Sequence, residues 1–286
     1  MRKIKIVTDT TVDLRPEYYT EHHIEVLPLY INIAGKTYAD SIEITPDKLF
    51  KIINETGERP STTCQNEFNF EAKFRELLSQ DYDIFYIGLG SGFSATYANA
   101  CKAQEEIGEE AKGRIRCVDS ANLSSGTGLL LMKAVKMIES GKTLDETADE
   151  ITSLVPYVRS QFSINTLEYL HKGGRCSGTT RLFGTLLHIH PIIKVVDGKM
   201  VVAQKPMGHY KRALDTQIKN VLADKDVIDP DTITITHCMA EQDVPYIKSI
   251  LEPIFPHTHF VETQASCTVS THCGPRTIGI LYVLKK

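Results

Sequence analysis

The sequence lacks several features that would indicate particular classes of protein. Its seven cysteines are an odd number and contain no C-x-x-C pair, which fits neither a disulfide framework nor a cysteine-based zinc site. Lysine and arginine never form a run of five or six, and the formal net charge is −4, so DNA and RNA are not expected as partners. The N-terminus lacks the basic start and long apolar stretch of a secretory signal, which predicts a cytoplasmic protein.

Motifs for metal and nucleotide binding are also missing. His188 and His190 form an H-x-H pair, but no cysteine or acid stands near them at ligand spacing, so we expect packed or surface histidines and no metal. The G-x-G stretch that begins at Gly88 has Phe93 in place of the third glycine of a dinucleotide fingerprint. No G-x-x-x-x-G-K-[ST], H-R-D or D-F-G sequence occurs, so no cofactor is expected, and a phosphoryl transfer would need a nucleotide from another protein.

The composition is that of a soluble globular protein. Of the 286 residues, 42% are apolar and 24% are charged, with no excess that would indicate disorder or a membrane span. This length is long for one compact core and comfortable for two domains. We expect a first domain over residues 1–156 and a second over residues 157–286.

The first half alternates short apolar runs with segments of helical period, which is typical of an α/β fold. The strand-like runs are residues 4–8, 24–33, 84–89 and 115–118. The predicted helices begin at Thr45 with Pro46 in the first turn, at Asn66 or Asn69, at Ser94, at Ser125 and at Leu144. This order predicts a doubly wound, mostly parallel sheet, in which ligands bind beyond the carboxyl ends of the strands.

The second half carries the strongest local signal of the chain. Asp197 and Gly198 stand between two β-branched runs, which predicts a tight hairpin because both turn positions need a positive φ. Predicted helices over residues 210–222 and 242–254 then alternate with strands over 232–236, 259–263 and 278–284. We therefore expect a second α/β domain with a mixed sheet.

Three stretches place small hydroxyl residues where such a sheet builds its binding site. They are residues 8–11, 61–65 and 88–96, each read as a loop after a strand or turn. Hydroxyls and backbone N–H groups at a helix N-terminus can hold an anion. The alternative for each single Ser or Thr is helix capping.

Motifs along nearly the whole chain resemble one family, the DegV-like fatty acid-binding proteins, which include the fatty acid-binding subunits of bacterial fatty acid kinase. The motifs are V-T-D-T-T-V-D-L at 7–14, L-P-L at 27–29, D-S-I-E-I-T-P at 40–46, T-C-Q at 63–65, G-S-G-F-S-A-T-Y at 90–97, V-D-S at 118–120, G-T-G at 126–128, T-L-E-Y-L-H-K-G-G-R at 166–175 and T-H-C-G-P at 271–275. The segment at 166–175 is similar almost letter for letter.

The resemblance implies a fatty acid between two domains, with its tail in an apolar tunnel and its carboxylate bound by hydroxyls and a histidine. Carried over by position, the carboxylate-binding candidates are Thr62, Thr63, Ser91, Ser94 and His272. Palmitate, stearate and oleate are typical of such ligands. The implied partner is the catalytic subunit of a fatty acid kinase, which Arg175 would face, and transient membrane contact is compatible with this role. The chain would then be a lipid-binding subunit without catalytic residues of its own.

The chain departs from the family motifs at several positions. Cys64 replaces a usual Ser, Ala95 a usual Gly and Cys176 a common Ile, and further changes fall at Asn66, Glu67, Cys273 and Arg276. A thiol is a weaker hydrogen-bond donor than a hydroxyl, and Ala95 adds a methyl group beside the anion-binding loop. These changes either alter the head-group geometry or are harmless variation.

Two other functions are open at this point. A serine hydrolase would use Ser94 with His272 and Asp9, although Thr96 occupies the position where a nucleophile elbow has its last glycine. A dihydroxyacetone-kinase-like protein would use its histidine to bind a small ketone, a choice that likeness of fold does not settle.

Overall fold

A computed structural model describes residues 2–177 and 189–286 of the chain. The strands are β1 (Ile4–Asp9), β2 (Glu25–Leu27), β3 (Tyr30–Ile33), β4 (Lys36–Ala39), β5 (Ser61–Thr63), β6 (Asp83–Gly88), β7 (Ile115–Asp119), β8 (Val158–Ser163), β9 (Cys176–Ser177), β10 (Ile192–Val196), β11 (Lys199–Gln204), β12 (Ile228–Cys238), β13 (His259–Gln264) and β14 (Thr277–Leu284). The helices are α1 (Pro16–Glu21), α2 (Pro46–Thr56), α3 (Glu67–Ser79), α4 (Thr96–Ile107), α5 (Ser125–Glu139), α6 (Leu144–Leu154), α7 (Glu168–Gly173), α8 (Lys211–Ala223), α9 (Val244–Leu251) and α10 (Cys267–Cys273). Within these two ranges no helix has the length and apolar character needed to cross a membrane.

The first half contains the predicted parallel sheet, in which the strand order is β2-β1-β6-β7. Alternating side chains of each strand pack on opposite faces. Ile84 and Tyr86 of β6 contact the core under α3 and α4, whereas Phe85 and Ile87 contact the core under α5 and α6. The predicted cover on both faces is thereby confirmed.

The apolar run over residues 24–33 is predicted as one strand, but the structure divides it into two, β2 and β3. Pro28 lies between β2 and β3, and it has no N–H group to continue a ladder. The strand β3 instead pairs antiparallel with β4 and β5 in a separate three-stranded sheet. The segment 61–63, expected as a loop, is therefore strand β5.

The second half contains the predicted mixed sheet, with strand order β13-β12-β14-β8-β10-β11-β9. The hairpin between β10 and β11 turns at Asp197 and Gly198, whose φ angles are 48° and 69°. Both values are positive, as the sequence requires. The α/β class, with a parallel sheet in the first half and a mixed sheet in the second, is confirmed, while the division into domains at residue 157 stays a proposal.

The helix caps are mostly those that the sequence predicts. The side chains of Thr45 and Asn66 cap α2 and α3, accepting hydrogen bonds from the N–H groups of Lys48 and Asn69. The exceptions are Ser94 and Ser125. Helix α4 begins at Thr96, and Ser125 is itself the first residue of α5, whose cap position is Ser124.

Helix α5 packs against the sheets of both halves. Its apolar residues pack in one core with the parallel sheet and with Val158, Leu281 and Val283 of the second sheet. At its N-terminus, the Ser125 hydroxyl is 2.9 Å from the Thr234 hydroxyl of β12. The carboxyl ends of the parallel strands therefore face the second half across a fixed interface.

Candidate functional site

Two buried aspartate side chains hold the N-terminus of the short helix α10. The Oδ1 and Oδ2 atoms of Asp40 accept hydrogen bonds from the backbone N–H groups of Cys267 and Thr268, each at 2.8 Å. Oδ1 of Asp13 accepts one from the N–H of Ser266, also at 2.8 Å. Burial raises the pKa of Asp13 to about 8. Since both aspartates belong to the first half, they determine where α10 lies against it.

His272 occupies the last turn of α10 and is partly buried. Its Nε2 atom lies 3.1 Å from the Thr62 hydroxyl of β5. Loss of hydration, together with the nearby charge of Arg175, lowers the pKa of His272 to about 4. The imidazole is therefore neutral at physiological pH and acts as a hydrogen-bonding group rather than as a cation.

The segments 166–175 and 271–275 contact each other through two glycines. A Cβ atom on Gly173 would lie 2.4 Å from Nδ1 of His272, and a Cβ on Gly274 would lie 2.4 Å from the ring of Tyr169. Only a residue without a side chain fits at either position. The two family-like segments are thus one packed unit, in which α7 closes against α10.

His272 and Thr62 lie in the wall of a cavity of about 220 Å³. Apolar side chains from loops of both halves line most of it, namely Leu29, Leu89, Phe93, Leu123, Met200 and Val269. The polar wall is formed by Thr62, Ser94, Thr268, Arg175 and His272. Three of the residues that depart from the family motifs, Cys64, Ala95 and Cys273, also line this cavity. The arrangement suits a ligand with an apolar body and one polar end.

The structure brings some of the expected site residues into this cavity and not others. Thr62, Ser94, His272 and Arg175 line it. The next residue of β5, Thr63, points to the other side of the strand, where its hydroxyl accepts a hydrogen bond from Nδ2 of Asn32 at 2.9 Å.

Ser91 also lies outside the cavity lining. It is exposed, and its hydroxyl donates to Oδ2 of Asp119 at 2.5 Å while its N–H donates to Oδ1 at 3.0 Å. Both groups therefore serve to fix the loop after β6 against the end of β7.

The proton relay of a serine hydrolase is not assembled. The Ser94 hydroxyl is 2.8 Å from that of Thr96, not from an imidazole. Asp9 is buried and accepts hydrogen bonds from the N–H groups of Thr11 and Leu89, both at 2.9 Å. Burial raises the pKa of Asp9. This carboxylate stabilises the loops after β1 and β6 and does not orient His272.

Sequence reasoning did not identify Asp13 and Asp40 as residues that support the site. The available signal was their position within the family-like stretches 7–14 and 40–46. Among the residues that the structure describes, no three His, Cys, Asp or Glu side chains are grouped as metal ligands. His188 of the H-x-H pair lies outside the described residues.

Comparisons with known proteins agree with this architecture. The family model described as "Uncharacterised protein, DegV family" matches residues 3–285. A DegV domain-containing protein of Clostridium acetobutylicum is 34% identical over 100% of both chains, and one of Caldanaerobacter subterraneus is 33% identical over 99% of each. A solved DegV family protein of Thermus thermophilus, described as binding fatty acid, has a TM-score of 0.91 and 27% identity, covering 99% of this chain and 100% of its own. The chain therefore belongs to the DegV family.

Proposed function

We propose that this protein binds a long-chain fatty acid, such as palmitate, stearate or oleate, and presents its carboxylate to a separate kinase. The main supporting observation is that one cavity combines uncharged hydrogen-bonding groups at Thr62, Ser94 and His272 with an apolar wall. The Thermus relative, whose description names fatty acid binding, supports the same ligand class.

The head group would be held by neutral donors. Nδ1 of His272 is buried against Gly173 and has no hydrogen-bond partner among the described residues, so we place the ring proton on Nε2. Nε2–H then donates to the Thr62 hydroxyl, whose own proton is free to donate to a carboxylate oxygen. A carboxylate held this way keeps an oxygen available for attack on phosphorus, which a bidentate arginine pair would occupy.

The tail would lie along the apolar wall. A smaller void of about 30 Å³ shares Leu123, Val269 and Cys273 with the cavity and continues towards β12 and β14. Burying about fifteen methylenes at roughly 0.8 kcal/mol each offers around 12 kcal/mol before the cost of association. Most of the affinity would come from this part of the ligand.

The kinase would supply the nucleotide, since the sequence has none of the phosphate-loop or kinase motifs. A carboxylate oxygen attacks the terminal phosphorus of a nucleoside triphosphate, and the bond to the leaving diphosphate breaks. The products are an acyl phosphate and a nucleoside diphosphate. In this proposal the chain acts in the cytoplasm as a binding subunit. It positions the carboxylate for the reaction and contributes no acid–base group.

Organic extraction of the purified protein, followed by mass spectrometry, tests the ligand. We expect about one long acyl chain per protein. A protein that carries no acyl chain and takes up none when palmitate is added would refute fatty acid binding, and a bound triose would favour the small-ketone alternative. Acyl phosphate that forms only when the chain and a fatty acid kinase are both present would support the partner.

A further inference from the structure

A second cavity adjoins the first at the Thr62–His272 pair. Its volume is about 280 Å³, and it shares Thr62, Arg175 and His272 with the first cavity. These three residues are therefore a wall that the two adjacent cavities share. A carboxylate bound at this wall from the apolar side would be next to whatever occupies the second cavity.

The second cavity is basic. Arg59, Lys172 and Arg175 line it, and no Asp or Glu is among its lining residues. Glu168, just outside, forms ion pairs with Arg59 and, at 3.2 Å, with Lys172. Three cations against one carboxylate leave two positive charges uncompensated at this place. The first cavity, by contrast, has Arg175 as its only Lys or Arg lining residue.

One lining residue of the second cavity, Thr271, has a hydroxyl without a hydrogen-bond partner among the described residues. Thr271 is buried, with 8% of its surface exposed. A buried polar atom without a partner destabilises the folded state, so a hydrogen bond from this hydroxyl to a ligand would be favourable. Together with the cations, it forms a set of donors for an anion.

We propose that the second cavity binds the phosphoryl group that is transferred to the fatty acid. Arginine and lysine donors match the oxygens of a tetrahedral phosphate dianion, and the Thr271 hydroxyl adds a neutral donor. The three cations are partly exposed, so they are accessible from solvent. The role in acyl phosphate formation rests on the proposed function, whereas the anion site rests on Arg59, Lys172 and Thr271 themselves.

Two sources present the same group at this position. One is the terminal phosphate of the incoming nucleotide, and the other is the phosphoryl group of the acyl phosphate product. Before transfer the phosphorus is bonded to the diphosphate oxygen, and after transfer to a carboxylate oxygen. Both would place the non-bridging oxygens of the phosphoryl group against the same cations.

The test compares Arg59→Ala and Lys172→Ala with Lys51→Ala, an exposed α2 residue that lines neither cavity. The probes are palmitate, the β-ketophosphonate analogue of palmitoyl phosphate, and a non-hydrolysable ATP analogue added to the palmitate complex. We expect Arg59→Ala and Lys172→Ala each to weaken the binding of a phosphoryl-bearing probe about tenfold, because each removes one charge-assisted hydrogen bond. Palmitate affinity should stay unchanged. Lys51→Ala should change nothing.

The outcomes separate the sources and the two proposals. Weakened binding of the phosphonate supports the site and assigns it to the product, and weakened binding of the ATP analogue supports it and assigns it to the nucleotide. If Arg59→Ala and Lys172→Ala bind both probes as wild type does, the phosphoryl site is overturned while fatty acid binding stands. If wild-type protein fails to bind palmitate, fatty acid binding is overturned whatever the phosphate result.

Discussion

Thr62 and Thr63 are neighbours in β5, and the alternation of a strand sends their side chains to opposite faces. The Thr62 hydroxyl meets His272 at the cavity, whereas that of Thr63 meets Asn32. A sequence motif that includes both residues cannot distinguish them. The pair of substitutions Thr62→Val and Thr63→Val therefore separates a head-group contact from a sheet contact.

We expect Thr62→Val to weaken palmitate binding by about ten- to a hundredfold, because a donor to a charged acceptor is worth roughly 1.5–3 kcal/mol. Binding of hexadecanol should change much less. Thr63→Val should bind both ligands as wild type does. Equal losses for the acid and the alcohol with Thr62→Val, measured by isothermal titration calorimetry, would show that Thr62 supports the fold instead of recognising the carboxylate.

The depressed pKa of His272 makes stability depend on pH. An unfolded histidine takes up its proton near pH 6.5, while His272 in the folded protein does so near 4, so the unfolded state binds more protons between these values. The stabilisation is present above pH 6.5 and is lost as the pH falls towards 4. We expect wild type to lose about 2 kcal/mol more than His272→Asn between pH 7 and pH 5. Urea unfolding at the two pH values measures this, and the same loss in both proteins would contradict it.

At the scale of elements, α10 is too short to be stable alone, and its position depends on what holds each end. Asp40 and Asp13 bind its first N–H groups, and Gly173 packs against His272 in its last turn. The helix therefore connects the parallel sheet, β5 and α7 at the cavity. Disturbing either end should displace the imidazole.

Asp40→Asn tests the first end. Asn has one oxygen and one NH₂ group, so it would present a donor to one of the two N–H groups of Cys267 and Thr268. We expect a loss of about 1–3 kcal/mol in the free energy of unfolding and weaker palmitate binding. The control is Asp226→Asn, a substitution of an exposed aspartate. If Asp40→Asn is as stable as this control, Asp40 does not hold the N-terminus of α10.

Gly173→Ala and Gly174→Ala test the other end. The added methyl of Gly173→Ala would clash with the His272 ring, which we expect to cost about 1–3 kcal/mol and to reduce palmitate affinity. Gly174 has a φ of 66° with no atom near its Cβ position, so its substitution should cost about 1–2 kcal/mol without affecting the ligand. If palmitate affinity falls equally in both variants, close packing at Gly173 is not what places the histidine.

At the scale of the whole molecule, the cavity is lined from both halves of the chain, with Leu89 and Leu123 from the first and Met200 and Val269 from the second. A ligand there would contact both halves and bind the folded state only. Saturating palmitate should therefore stabilise the protein by roughly 4 kcal/mol at a free concentration a thousand times Kd. Butyrate, which has the head group without the tail, should have little effect. Thermal unfolding of delipidated protein measures this, and an unchanged Tm with palmitate would contradict the proposed ligand.

The sequence alone determined what depends on neighbouring residues. The parallel-sheet strands β1, β6 and β7, the caps at Thr45 and Asn66 and the turn at Asp197 and Gly198 follow from periodicity, hydrogen-bonding side chains and the φ angles that a tight turn requires. The family-like motifs also indicated which segments matter, and the structure places Thr62, Ser94, Arg175 and His272 of these in one cavity.

Only the tertiary structure decided which of these residues contact each other. Asp40 binds the N–H of Cys267 across 227 positions of sequence, and Thr62 contacts His272 across 210. Residues 61–63 form a strand because they pair with β3, which is separated from β2 at Pro28. The alternation of side chains along this strand directs Thr63 away from the cavity and towards Asn32. Such contacts depend on long-range packing and strand pairing, which no local pattern of residues specifies.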